Sequence, residues 1–143
     1  MFGIISAIIS GISMTLQGVF NTRLEEKVGT WETNAFVQGS AFIITIIIAF
    51  FVGKGNYKEL LTSNKLYLTG GLLGVIITFT VMGGIKNLGA TYAISIILVA
   101  QLLSAAIIDA FGLFNTKKLP FGFNEIAGVI IMIVGIIIFK WRR

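Results

Sequence analysis

Residues 31–52 read WETNAFVQGSAFIITIIIAFFV, and from Thr33 to Val52 not one residue is charged. A bilayer's hydrocarbon core is about 30 Å thick and takes about 20 helical residues at about 1.5 Å each. The stretch has that length and composition, and Trp31 stands at its edge, where amphipathic rings prefer the membrane interface. It predicts a transmembrane helix over 31–52. Four more runs repeat the pattern on either side: 2–20, 66–85, 90–114 and 123–139. A helix satisfies its own backbone hydrogen bonds in lipid, and the alternating apolar-polar strands of a membrane barrel are absent.

The whole composition agrees. Hydrophobic residues make up 56% of the 143 and charged residues 12%, and isoleucine alone outnumbers all charged side chains. A water-soluble domain needs far more polar surface. The fold class is therefore an all-α membrane protein of five transmembrane helices, residues 1–143 forming a single transmembrane domain with the lipid bilayer as its main partner. The N-terminus turns apolar at Phe2 with no charged region ahead of it, so it reads as a retained first span. Charge collects in the connections: Arg23 to Lys27 after the first span, Lys54 to Lys65 after the second, Lys86 in a tight third turn, Lys117 and Lys118 in the fourth, and Lys140, Arg142 and Arg143 at the end. Glu25, Glu26, Glu32, Glu59 and Glu125 read as solvated loop or helix-end charges. The net charge of +5 is juxtamembrane, and no basic-aromatic cluster points to nucleic acid. With no Cys and no His, thiol chemistry and most zinc sites are excluded. No phosphate loop, nucleophile elbow or metal cluster appears, so the expectation is a non-enzyme without cofactors.

Five spans place the termini on opposite sides. Lys54, Lys58, Lys65, Lys117 and Lys118 then share one side, and Arg23, Lys27, Lys86, Lys140, Arg142 and Arg143 share the other. Orientation follows Lys and Arg bias, and this near-tie gives almost none. The expectation is insertion in both directions and assembly as an antiparallel homodimer, with the inverted repeats that transporters use for alternating access. The competing expectation is one fixed orientation with a paralogous subunit as partner.

Polar residues inside the spans carry the functional signal, since each needs a partner or water. Ser6, Ser10, Ser13 and Gln17 recur at steps of four, three and four, which stack them on one helix face, and Gly3 and Asn21 extend the row. The second span carries Asn34, Gln38 and Thr45; the third carries Gly70, Gly74 and Thr78. Small residues of this kind also let helices pack closely, so Ser6, Ser10, Ser13, Gly70, Gly74 and Thr78 are assigned to helix packing. The long amides Gln17, Gln38 and Gln101, with Asn21 and Tyr92, are candidate substrate-binding residues. Asp109 is the only carboxylate inside any predicted span and is the candidate for coupling to a proton or cation.

Gln17, Asn21, Leu24, Gly29, Ala35 and Gly39-Ser40, followed by Leu88-Gly89-Ala90, Gln101-Leu102, Ser104, Asp109-Ala110-Phe111-Gly112-Leu113, Gly128 and Gly135, resemble the pattern of the YdcZ-type small bacterial membrane proteins. That family is placed among inner-membrane exporters of the drug/metabolite transporter superfamily. Ala100 and Glu125 stand where the pattern leads one to expect a glycine and a basic residue. The resemblance implies a multi-pass inner-membrane subunit, related to the four-span multidrug transporters and working as a dual-topology homodimer or an oppositely oriented pair. It also marks Gln17, Asn21, Gln101 and Asp109 as important. The expected function is a small secondary transporter moving a small metabolite or cationic solute by alternating access. The alternatives are a passive channel and a non-transporting accessory subunit. The substrate stays open.

Overall fold

The computed structural model describes residues 1–120 and 122–141. Among the described residues five helices are long and apolar enough to cross a membrane, as expected. They are α1 (Phe2–Val28), α2 (Thr30–Val52), α3 (Gly70–Leu88), α4 (Ala90–Phe111) and α5 (Phe123–Lys140). No strand occurs among the described residues. The chain divides into two compact units, Met1–Asn87 with α1 to α3, and Leu88–Arg143 with α4 and α5.

Several helix ends differ from the sequence reading, each for a local reason. The first helix runs past Phe20 to Val28, because nothing from Asn21 to Lys27 breaks a helix. It stops at Gly29, whose φ of 101° suits only glycine. At 1.5 Å per residue α1 is about 40 Å long, about 10 Å more than the hydrocarbon core. The third span begins as a short 3₁₀ turn, Lys65–Thr69, capped when the Asn64 side chain accepts from the Leu66 N–H, and becomes α-helical at Gly70. The fourth helix ends at Phe111 rather than Phe114. Gly112 takes the left-handed conformation there, the usual way to close a helix end. Helix α5 starts where the Glu125 carboxylate accepts from the Gly122 N–H.

In the first unit α1 packs on α2 across the one-residue turn at Gly29. Helix α3 meets both. A Cβ on Gly18 of α1 would lie 2.8 Å from Ile85 Cδ1 and 3.0 Å from Val81 Cγ1, so the glycine lets these α3 side chains lie directly against α1. Trp31 stacks on Phe79 with ring centroids 5.2 Å apart. Buried residues gather toward one end of this unit: Gly18, Asn21, Thr22 and Glu25 on α1, Thr33 and Asn34 on α2, and Thr78, Met82 and Ile85 on α3. In the second unit α4 packs on α5, with Ala93 and Val129 buried. The chain covers little of its own apolar surface. Each membrane-spanning helix buries only a few residues, and the most apolar stretches of α2 and α4 bury none. Lipid or other polypeptide must cover the remainder.

Candidate functional site

The polar centre of the first unit lies where α1, α2 and α3 pack. Glu25, one turn before the end of α1, is buried at 8% exposure. This corrects the reading of Glu25 as a solvated charge. Helix α1 continues past the expected end of the span, and α3 returns a lysine to it. Glu25 Oε1 accepts from Thr30 Oγ1 at 2.8 Å and from Lys86 Nζ at 3.1 Å. The other oxygen, Oε2, is out of solvent and has no partner. Glu26, on the exposed side of α1, pairs with Arg23 at 3.2 Å and takes no part.

Two α2 residues one turn beyond Thr30 complete the centre. Thr33 is fully buried and Asn34 nearly so. The Asn34 amide donates to the Val75 backbone carbonyl of α3 at 2.9 Å, while Asn34 Oδ1 and Thr33 Oγ1 have no partner. Another turn along, Gln38 Nε2 donates to Thr78 Oγ1 at 3.2 Å. Gly74 makes room for that amide, since a Cβ there would sit 3.2 Å from Gln38 Nε2. The α2–α3 seam is thus a ladder of amides and hydroxyls, which hold helices together in lipid where apolar contact alone does not.

The other sequence-derived residues fall in several environments. Asn21 is buried among the residues that join α1 to α3. Gln17 is exposed and makes no side-chain hydrogen bond, and the Ser6, Ser10 and Ser13 row is exposed as well, with Ser6 Oγ donating only to the Phe2 carbonyl of its own helix. Of the third-span row, Gly74 and Thr78 meet α2, whereas Gly70 faces open space. In the second unit Gln101 is exposed without a side-chain partner. Asp109 is half-buried near the end of α4. Its carboxylate makes no hydrogen bond, while its backbone carbonyl accepts from the Leu119 N–H at 2.9 Å. Tyr92 borders an open cleft of about 240 Å³ with Thr91 and Phe139, and Lys140 Nζ lies 3.9 Å from its ring centroid. The chain's own lysine thus lies over the Tyr92 ring, where a cationic solute would otherwise stack. Among the described residues no cluster of acids suits a metal ion.

Glu25, Thr33 and Lys86 escaped the sequence-derived site. One signal for Glu25 was present, because it continues the α1 row by another step of four after Gln17 and Asn21.

Five apolar helices that bury so little of themselves, with polar side chains concentrated on a few faces, define a multi-pass helical membrane protein. The chain belongs to the family described as "Putative inner membrane exporter, YdcZ", which matches residues 2–138. It is similar to a protein named inner membrane protein YdcZ from Escherichia coli (strain K12), with 26% identity over 133 residues that cover 90% of this chain and 87% of that protein. No solved structure matches it. The resemblance in Gln17–Ser40 and Leu88–Leu113 thus identified the family, and the chain is a multi-pass protein of the inner membrane, of the transporter type.

Proposed function

We infer that this chain is one subunit of a small secondary transporter that carries a small metabolite or cationic solute by alternating access, and that it works as an antiparallel homodimer. The observation that carries this reading is the exposure of unpartnered amides on membrane-spanning helices. Gln17 on α1 and Gln101 on α4 have no hydrogen-bonding partner among the described residues. An amide left bare in hydrocarbon costs several kcal/mol, so each faces a second subunit or a water-filled path. The exposed row of Ser6, Ser10 and Ser13 beside Gln17 lets another helix approach closely. The near-even split of basic residues, five against six, supports a partner of opposite orientation. In this reading Gln17 and Gln101 offer hydrogen bonds to the solute, Asn21 and Gln38 support them from the packed seam, and Asp109, whose carboxylate is free, serves coupling.

Flux into proteoliposomes tests the transporter. Saturable exchange that is faster with unlabelled solute on the far side is expected, whereas unitary currents in planar bilayers would make the protein a channel. A reporter fused to the C-terminus tests the dimer. Signal from both sides of the membrane is expected, and signal from one side alone rules out dual insertion.

A further inference from the structure

Half of the Glu25 carboxylate is unused. Thr30 and Lys86 both bind Oε1, and Oε2 lies buried with nothing to accept. Thr33 Oγ1 and Asn34 Oδ1 are buried without partners on the adjoining turn of α2. All three free atoms can accept a hydrogen bond, and burying acceptors unpaired is costly. The Thr33 hydroxyl can also donate, but Oε2 and Asn34 Oδ1 can only accept, and beside a carboxylate the strongest donor is a cation. The chain already brings one cation to this place. The Lys86 side chain is 54% exposed while that of Glu25 is 6% exposed. A primary ammonium thus reaches from the surface, on a flexible stem, to a buried carboxylate. That is the geometry of a tethered ligand.

We propose that Glu25 is the recognition carboxylate for a small primary-ammonium solute and that Lys86 is a built-in competitor which the solute displaces. The solute's ammonium takes the place of Nζ beside Oε1 and Thr30. Its remaining N–H groups serve Oε2 and the free oxygens of α2. A quaternary ammonium has no N–H to give and is not held. The apparent affinity is the intrinsic one reduced by the fraction of time that Lys86 is away. The inference rests on the transporter reading only for the movement of solute after it has bound, since every residue it uses lies on α1, α2 or α3.

The test uses the full chain purified in detergent and calorimetric titration with methylammonium chloride at fixed pH and ionic strength, with tetramethylammonium chloride as the charge-matched control. Lys86→Gln should bind methylammonium about tenfold or more tightly than the native chain. Glu25→Gln introduced on the Lys86→Gln background should abolish that binding, and tetramethylammonium should give no binding heat in any form. The gain in Lys86→Gln is read on a protein that keeps Glu25, so it stands even if the double variant fails to fold. No gain in Lys86→Gln, equal binding of the quaternary ion, or binding that persists in a folded double variant overturns the proposal. If methylammonium binds as expected but does not enter proteoliposomes, the site stands and the transport reading fails.

Discussion

The two ends of the three-helix unit differ sharply. At one end Gly18, Asn21, Glu25, Thr33, Asn34, Thr78, Met82 and Ile85 are buried together. At the other, Phe2–Met14 of α1, nearly all of Ala41–Val52 of α2 and Gly70–Leu73 of α3 are exposed. The exposed end is the more apolar one. In water this would be paradoxical, but in lipid it is the natural outcome. Hydrocarbon solvates isoleucine as well as another helix does, so apolar side chains give little reason for helices to meet. Helices close where amides, hydroxyls and an ion pair need partners and where a glycine lets backbones approach.

Substituting leucine for glycine separates the two ends most strongly. Gly18→Leu should destabilise the unit by about 3 kcal/mol, because its side chain enters the space of Ile85 and Val81. Gly11→Leu, with nothing within 4 Å of its Cβ, should be nearly silent. Denaturant unfolding of the detergent-solubilised protein, followed by circular dichroism, measures both, and equal losses would erase the contrast. Met82 offers a second comparison. It is fully buried, so Met82→Ala leaves a cavity worth about 2 kcal/mol in the same assay. Ile8→Ala on the exposed end should change stability by less than about 0.5 kcal/mol. The smallest loss expected at the packed end belongs to the amide ladder. Thr78→Val removes the acceptor of Gln38 and should cost about 0.6 kcal/mol, the typical worth of a side-chain hydrogen bond between membrane helices. A loss that is unchanged when Gln38 is also replaced by leucine would show that the bond contributes nothing.

Much of the architecture was legible because its cause is local. Helix α2 could be read from an uncharged run, and the turn at Gly89 from the short gap between two such runs. The ends were less legible. Helix α1 overran its expected limit because hydropathy marks where lipid begins, whereas a helix stops only where its backbone is broken, here at Gly29. The site was half legible. Gln38 and Asn34 stood out as amides in an apolar span, and both proved to bind α3. Glu25 did not stand out, since a charge near a helix end is ordinarily solvated. Its partner Lys86 is 61 residues away along the chain.

The sequence by itself determined that this polypeptide lives in a bilayer, how many times it crosses, which family it belongs to and which few side chains are too polar for lipid. The family follows from matching residues, and the rest depends on the free energy of transferring each segment, to which every residue contributes without reference to distant ones. Which polar groups pair, and which are left bare, only the tertiary structure decided. Burial of Glu25 against Lys86, the free oxygens beside it and the exposure of Gln17 depend on how α1, α2 and α3 lie in space. No local property of the chain encodes a distance between helices.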